Sequence, residues 1–255
     1  MADSLGAVER STGITVKKCW WLPTRIDGEE WLDRGNGTPE DIEQSLADLR
    51  RINRWLGGMR GLAAHLYPRI RRCRSTYVRV LDLGAGGCTV PEIVAQWAHR
   101  AGIPLHVFAL DLRHAHLQWA RRHLRTRTEI VFIQGDVLAP PLAEGSVDFV
   151  ISSLFLHHFT AETLIQVLPK WVRMARHGLI MTDLVRHPAA SWFMKAASPV
   201  FARSAITRHD AAVSIRRAYR PRELQRIAET AGFAEARVYT YFPYRMVLVI
   251  DCAEP

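Results

Sequence analysis

The chain has few cysteines and no long apolar run. Its four cysteines, Cys19, Cys73, Cys88 and Cys252, are not spaced as in a zinc site or a secreted disulfide framework, so we expect structural thiols. No run approaches the roughly 18 to 20 apolar residues that span a bilayer. Residues 1–13 also lack the apolar stretch of a signal peptide. The sequence therefore predicts a cytoplasmic protein without a membrane span.

Lysine is also scarce, so the basic charge comes almost wholly from arginine. The formal net charge is +9 at pH 7, and arginines cluster within residues 69–74, 121–125 and 216–222. Cationic side chains that neutralise phosphates do bind nucleic acid. Charge patterns bear on association rather than on fold or chemistry, however, and coding bias alone can produce an arginine skew. We therefore expect no specific nucleic-acid partner.

The N-terminal part predicts a helical cap. Thr38-Pro39-Glu40-Asp41 combines a capping hydroxyl, a proline for the first turn and acids near the positive end of the helix dipole. Apolar residues then recur on one helical face, at positions 42, 46, 49, 52 and 56, and a second helix follows through residues 62–70. Residues 1–37 show no clear element. We assign residues 1–75 to an N-terminal segment and helical cap.

From Val78 onward, short apolar runs alternate with helical stretches, which is typical of a parallel sheet with helices on both faces. The predicted strands are 78–83, 105–110, 130–134, 147–152 and 179–182, with helices at 91–100, 115–125 and 161–174. Residues 236–242 and 245–250 predict an antiparallel pair. The fold class is thus α/β: a doubly wound, mostly parallel, seven-stranded, Rossmann-like sheet with one antiparallel edge strand, over residues 76–255. Residues 186–220 interrupt the alternation as an inserted lid.

Glycines fill the turn after the first strand, and acidic residues follow the next two. The turn is Gly84-Ala85-Gly86-Gly87; Asp111 follows the second strand and Asp136 the third. Open α/β sheets bind ligands at the carboxyl ends of their strands, where glycine lets the backbone approach the ligand. A carboxylate accepts hydrogen bonds from both ribose hydroxyls. The joint arrangement predicts a nucleoside site.

These motifs resemble class I S-adenosylmethionine-dependent methyltransferases, over roughly residues 78–250. Val-Leu-Asp-Leu-Gly-Ala-Gly at 80–86 is similar to the first motif of that family, Asp111 to its second, and Gly-Asp-Val at 135–137 to its third. Residues 147–159 resemble the fourth strand and the loop behind the methyl donor. The nearest resemblance is to methyltransferases of quinone biosynthesis and of small aromatic natural products.

The resemblance implies S-adenosyl-L-methionine as cofactor. It places Asp82, Gly84 and Gly86 beside the methionine part, Asp111 at the ribose, and Asp136 with Val137 at the adenine. The full implied cofactor set is Asp82, Gly84, Ala85, Gly86, Asp111, Leu112, Asp136, Val137 and Ser153. One position departs from the family, because Cys88 stands where a third glycine is common. A side chain is tolerable there if its φ is negative, and we expect Cys88 to be a small buried filler.

Three other chemistries fit the sequence less well. A nicotinamide oxidoreductase needs glycine or alanine as the sixth residue of its glycine turn, where this chain has Thr89, and a short-chain dehydrogenase needs a Tyr-x-x-x-Lys pair that the chain lacks. Enzymes that methylate base amines resemble one another in an Asn/Asp-Pro-Pro-aromatic motif, where this chain has Ser152-Ser153-Leu154-Phe155. A metal-dependent enzyme needs a carboxylate cluster, and Asp183 has no acidic neighbour in sequence. We predict no metal.

The remaining interpretation is methyl transfer to a small hydrophobic or aromatic acceptor, with a phenolic hydroxyl fitting best. Apolar lid residues suit such a pocket: Trp192, Phe193, Met194 and Phe201. His157 or His158 is the predicted general base, since histidine titrates near neutral pH, and His209 with Asp210 is the reserve. Two alternative functions stay open: carbon methylation of a quinol or polyketide-type ring, and binding of the donor without methyl transfer. The sequence also leaves open whether the protein is a homodimer.

Overall fold

The computed structural model describes residues 24–35 and 37–252. The predictions made for residues 1–13 and for Cys19 lie outside this part of the chain. The described residues form a seven-stranded sheet in the order β3-β2-β1-β4-β5-β7-β6. Its strands are β1 Val78–Leu83, β2 Leu105–Asp111, β3 Ile130–Gln134, β4 Val147–Ser153, β5 Ala175–Leu184, β6 Arg237–Tyr241 and β7 Arg245–Asp251.

The strand directions confirm the predicted α/β class. The first five strands pair in parallel, whereas β7 runs antiparallel to both β5 and β6. The antiparallel strand thus lies one position inside the edge, which β6 occupies. Strand β5 begins four residues earlier than the predicted 179–182, because its first residue pairs with Val147 across an irregularity in β4.

In the described part of the chain, three helices precede the sheet: α1 Trp31–Arg34, α2 Pro39–Trp55 and α3 Gly58–Arg72. The predicted start of α2 is confirmed. The hydroxyl of Thr38 accepts a hydrogen bond from the amide of Asp41, and the Asp41 carboxylate accepts one in return from the Thr38 amide, which forms a capping box. Helix α1 lies within the segment where the sequence indicates no element.

Two apolar layers sandwich the sheet. Side chains from α2, α3, α4 (Thr89–Arg100) and α5 (His114–His123) pack on one face, with Leu66, Val94 and Leu117 among the buried residues. Helices α6 (Ala161–Met174) and α9 (Pro221–Thr230) pack on the other, around Trp171 and Leu224. Alternation along each strand produces the two layers, because successive side chains point to opposite faces.

The predicted insertion consists of two helices, α7 Pro188–Phe201 and α8 Ala205–Arg217. Its two ends meet, since the amide of Arg186 donates to the carbonyl of Tyr219 at 3.1 Å. Helix α8 packs against α1 and α2, so the insertion and the N-terminal helices together cover the carboxyl ends of the central strands. No helix in the described ranges is long and apolar enough to cross a membrane.

Candidate functional site

A cavity of about 490 Å³ lies at the carboxyl ends of the parallel strands, beneath α1, α2 and the insertion. This edge is where an open α/β sheet binds ligands. All nine residues predicted to contact a cofactor line this cavity: Asp82, Gly84, Ala85, Gly86, Asp111, Leu112, Asp136, Val137 and Ser153. The sheet therefore brings together side chains that lie far apart along the chain.

The glycine turn is shaped for close approach to the cavity. Gly84 has a φ of +69°, and a Cβ atom at that position would clash with the ring of Phe155. Gly86 has a φ of +51° and open space where a side chain would project. Both residues adopt a left-handed conformation that other residues rarely tolerate, so this conformation favours glycine at both positions, and the clash with Phe155 requires it at Gly84.

Cys88 departs from the conformation expected for it. Its φ is +55°, in the left-handed region, so the condition of a negative φ is not met. The side chain is fully buried, and burial together with Asp82 and Asp111 raises the pKa of its thiol well above the ordinary value. A protonated, inaccessible thiol fits the expected role of a buried filler rather than a nucleophile.

Asp82 presents a buried oxygen that lacks a partner. The residue is 2% exposed, and its Oδ1 atom has no hydrogen-bond partner among the described residues. Burial, and secondarily the charge of Asp111, raises the pKa of Asp82 well above its ordinary value. A positively charged group in the cavity would satisfy this oxygen and stabilise the carboxylate. The ammonium group of an S-adenosylmethionine amino acid part has that chemistry, so the residues present fit this cofactor.

Asp111 both shapes the turn and faces the cavity. Its Oδ2 atom accepts a 2.7 Å hydrogen bond from the amide of Gly86, and its Oδ1 atom accepts one of 2.8 Å from the amide of Arg113. Oδ1 is also 3.4 Å from Nδ1 of His116, whereas Oδ2 keeps a lone pair that can accept a ribose hydroxyl. Asp136, whose Oδ1 accepts from the Leu138 amide at 2.9 Å, lies after the third strand.

His157 lies in a 3₁₀ turn, Leu156–His158, and is 2% exposed. Its Nδ1 is 2.7 Å from Oδ1 of Asp183, and its Nε2 is 3.1 Å from Oε1 of Glu30. Burial alone would lower the pKa of His157, but these two carboxylates raise it to about 10. Both ring nitrogens of His157 are therefore engaged, and the ring is an imidazolium at neutral pH.

His158 has a different environment, although it follows directly in sequence. Its Nδ1 is 2.8 Å from Oδ2 of Asp33, whereas its Nε2 is 4.0 Å from the nearest oxygen of Glu30, beyond hydrogen-bond distance. Burial raises the pKa of Asp33, but the contacts with His158 and His157 outweigh it and hold that pKa below its ordinary value. With Nδ1 at the Asp33 carboxylate, Nε2 is the ring nitrogen of His158 without a hydrogen-bond partner among the described residues.

The backbone of this turn is held by side chains from distant parts of the chain. Arg25 donates to the carbonyls of His157 and Phe159, at 3.1 and 2.7 Å. Arg217 donates to the carbonyls of His157 and His158, and the Tyr219 hydroxyl donates to that of Phe159. These bonds fix the direction in which both histidine rings point.

The reserve candidate His209 does not line the cavity. Its ring stacks on Trp31, with centroids 3.9 Å apart, and its Nδ1 is 2.8 Å from Asp210. The Asp210 carboxylate in turn accepts hydrogen bonds from the amides of Trp31 and Leu32. His209 thus packs on α1 instead of facing the cavity, and the structure gives it no route to a bound acceptor.

The expectation that four lid residues line the pocket is wrong for three of them. Met194 lines the cavity, but Trp192 is 73% exposed, Phe193 packs near Phe242 and Tyr244, and Phe201 also lies outside the cavity wall. A 14-residue helix presents only one face to a neighbour, so residues 192 and 194 point in different directions.

Sequence reasoning missed Glu30 and Asp33, the carboxylates that hold the histidine pair. Their spacing of three places both on one side of the short helix α1, which is the available signal, but nothing in the sequence connects α1 to residues 157 and 158. Within the described part of the chain, Glu30, His157 and His158 also form a group with the geometry to hold a metal ion. The absence of a metal stays a prediction.

Comparison with known proteins agrees with this geometry. Residues 80–178 match a family model described as a methyltransferase domain. No curated protein matches the chain.

Solved structures of similar fold include three methyltransferases. Human N-acetylserotonin methyltransferase, in complex with SAM, has a TM-score of 0.60 at 14% identity over 84% of this chain and 56% of its own. A putative O-methyltransferase from Nostoc punctiforme has a TM-score of 0.53 at 19% identity, over 80% and 59%. The CurJ carbon methyltransferase has a TM-score of 0.62 at 11% identity, over 88% and 63%.

The chain spans less than two thirds of each of these three proteins, and at such identities the likeness shows the fold alone. The family match and the fold both indicate a methyltransferase. Residues 80–178 thus match a methyltransferase domain, and the chain has the fold of solved S-adenosylmethionine-dependent methyltransferases.

Proposed function

We propose that this protein transfers a methyl group from S-adenosylmethionine to the phenolic hydroxyl of a small aromatic acceptor, without a metal ion. The observation that carries the proposal is a single cavity with two chemically different halves. One half holds the glycine turn, Asp82, Asp111 and Asp136, and the other holds His158 with Asp33. A donor and an acceptor bound in these halves would lie side by side.

The donor half would hold the cofactor by its two polar ends. Asp82 would accept a hydrogen bond from the ammonium group, and Asp111 would accept the ribose hydroxyls, while Asp136 and Val137 would flank the adenine. When bound, S-adenosylmethionine supplies an activated methyl group on a sulfonium. The chain itself therefore has to position the acceptor and remove its proton.

His158 is suited to that proton transfer. A phenol titrates near pH 10, so the hydroxyl is mostly neutral at pH 7 and benefits from a base. The acceptor oxygen forms its bond to the methyl carbon as the carbon–sulfur bond breaks, and the hydroxyl proton moves to Nε2 of His158. Asp33, 2.8 Å from Nδ1, stabilises the imidazolium that forms. S-adenosylhomocysteine and the methyl ether are the products.

His157 has a positioning role in this proposal. Its ring already carries a proton on each nitrogen and lies between Asp183 and Glu30, so it cannot accept another. It links the turn to α1, which carries Asp33. We revise the choice between the two histidines accordingly and assign the base to His158.

Turnover with a labelled donor tests the proposal. The protein is incubated with methyl-labelled S-adenosylmethionine and a panel of phenols, and the products are separated by mass and by their stability to acid. A label carried as a methyl ether supports the proposal, whereas a label on ring carbon would assign carbon methylation. Binding of NAD in place of the sulfonium donor, or donor binding without turnover on any acceptor, would contradict it.

A further inference from the structure

Arg245 is a buried cation, and two of its guanidinium nitrogens have no hydrogen-bond partner among the described residues. It is the first residue of β7, it is 4% exposed, and it lines the cavity with Leu184 and Met194. Within residues 24–35 and 37–252, its Nε and Nη1 atoms have no hydrogen-bond partner. An unpaired donor away from water is costly, and an unpaired charged donor more so. The chain thus maintains a charged group in the cavity wall that the described residues do not satisfy.

The neighbouring Asp183 offsets the charge without forming a hydrogen bond to it. Burial lowers the pKa of Arg245 to about 10, against the opposing effect of Asp183, so the guanidinium stays charged at neutral pH. The oxygens of Asp183 accept hydrogen bonds from other groups. Oδ1 accepts from His157 Nδ1 and from the Leu184 amide, and Oδ2 accepts from the His157 amide. Nε and Nη1 of Arg245 are thus left without a partner among the described residues, in a side chain that lines the cavity.

The position of Arg245 assigns it to the acceptor rather than the donor. Strand β7 lies beyond β4 and β5, three places from β1, whose turn forms the donor half. Neighbouring strands are about 4.8 Å apart, so Arg245 lies roughly 14 Å from that turn across the sheet. His158 lies in the turn after β4, between the two.

We infer that Arg245 binds a carboxylate on the acceptor, so that the substrate class is hydroxylated aromatic acids. This inference rests on the proposed function. A guanidinium presents its N–H groups as a planar fork that matches a carboxylate in two parallel hydrogen bonds. The cavity lining also includes apolar side chains such as Leu49, Ile52 and Ile215, and a singly charged carboxylate costs less to desolvate than a phosphate dianion.

Binding measurements with matched pairs of ligands test the inference without requiring turnover. The pairs are 4-hydroxybenzoate with phenol, 4-hydroxyphenylacetate with 4-methylphenol, and 3-(4-hydroxyphenyl)propanoate with 4-ethylphenol, titrated into protein saturated with S-adenosylhomocysteine. The three arm lengths sample different distances between ring and carboxylate. In at least one pair the acid should bind on the order of 10- to 100-fold more tightly than its partner, the range for charge-assisted hydrogen bonds.

Three variants identify the residue responsible. Arg245→Met should abolish the preference for the acid, and Arg245→Lys should retain part of it, because lysine keeps the charge but not the fork. Arg237→Met is the control, since Arg237 is an exposed arginine at the start of the neighbouring strand β6. It should leave the preference unchanged.

Equal binding of acids and phenols by the unaltered protein would overturn the inference. So would an Arg245→Met variant that loses affinity for acid and phenol alike, or for S-adenosylhomocysteine, because either result would assign the guanidinium to folding or to the donor. Failure of the proposed function is distinguishable, since it appears as loss of S-adenosylhomocysteine binding in the unaltered protein.

Discussion

The two halves of the cavity are built in different ways. The donor half comes from consecutive strand ends of β1, β2 and β3, and its residues follow one another along the chain within 82–137. The acceptor half combines α1, the turn after β4, the end of β5 and the start of β7, so Glu30 and Arg245 line the same cavity although they lie far apart along the chain. The donor half depends on backbone shape, and the acceptor half on buried ion pairs.

This difference predicts how amino-acid substitutions should affect each half. The glycine turn is fixed by its own φ angles and by one carboxylate, Asp111, which holds the Gly86 amide. The acceptor half depends on mutual compensation, because His157 and Arg245 offset the charges of Asp183 and Glu30. Removing one member of such a cluster leaves the others buried and unpaired. Substitutions in the acceptor half should therefore lower both the stability of the fold and the rate of turnover. Substitutions in the donor half should chiefly lower the affinity for the donor.

The largest expected effect is on turnover in His158→Ala. Without the base, the rate on a phenolic acceptor should fall on the order of 10² to 10⁴-fold, while donor affinity stays the same. Steady-state kinetics and donor titration measure the two quantities separately. His209→Ala is the matched control, because that ring packs on Trp31 outside the cavity, and it should turn over normally. If His158→Ala turned over at the rate of the unaltered protein, the general base would have to be another group.

Asp183→Asn should cause the largest loss of stability. The change preserves shape but leaves the cations of His157 and Arg245 with less compensation, which costs about 3 to 5 kcal/mol of unfolding free energy. Urea unfolding measures it. Glu144→Gln is the control, since Glu144 forms an exposed ion pair with Arg173 and should cost less than about 1 kcal/mol. Equal effects from the two variants would show that the cluster does not stabilise the fold.

The stability contributed by His157 should depend on pH. Its folded pKa is raised to about 10 from an ordinary value of 6.5, so this contribution is complete below pH 6.5 and is lost as the pH rises toward 10. Over that window the free energy of unfolding of the unaltered protein should fall by up to about 1.4 kcal/mol per pH unit, relative to that of His157→Gln. Unfolding at pH 6, 8 and 9.5 measures the difference, and parallel pH profiles would contradict the assigned imidazolium.

The smallest expected effect is on the binding of the acceptor, and it should differ between two nearby residues of α7. Met194→Ala enlarges the cavity and should raise the KM of an aromatic acceptor several-fold, because apolar contact area is lost. Trp192→Ala should change neither KM nor kcat, since that ring faces solvent. If Trp192→Ala had the larger effect, the insertion would have to close over the acceptor in a different arrangement.

The sequence predicts which residues line the proposed donor half far better than it predicts those of the proposed acceptor half. Strand ends are local features, so an apolar run followed by Gly84 or Asp111 indicates a position in space once the sheet is parallel. The pairing of Glu30 with His157 is a contact between distant segments, and no local pattern encodes it. The lid residues fail for a related reason, since composition identified an apolar stretch but could not tell which of its side chains would point inward.

The measurement that tests the account most directly is calorimetric titration of S-adenosylmethionine into the unaltered protein, Asp111→Ala and His158→Ala. The account predicts that Asp111→Ala weakens binding by about 1 to 3 kcal/mol, the range for charge-assisted hydrogen bonds to a ligand, and that His158→Ala leaves it unchanged. Unchanged binding in Asp111→Ala, or an equal loss in both variants, would contradict the division of this cavity into a donor half and an acceptor half.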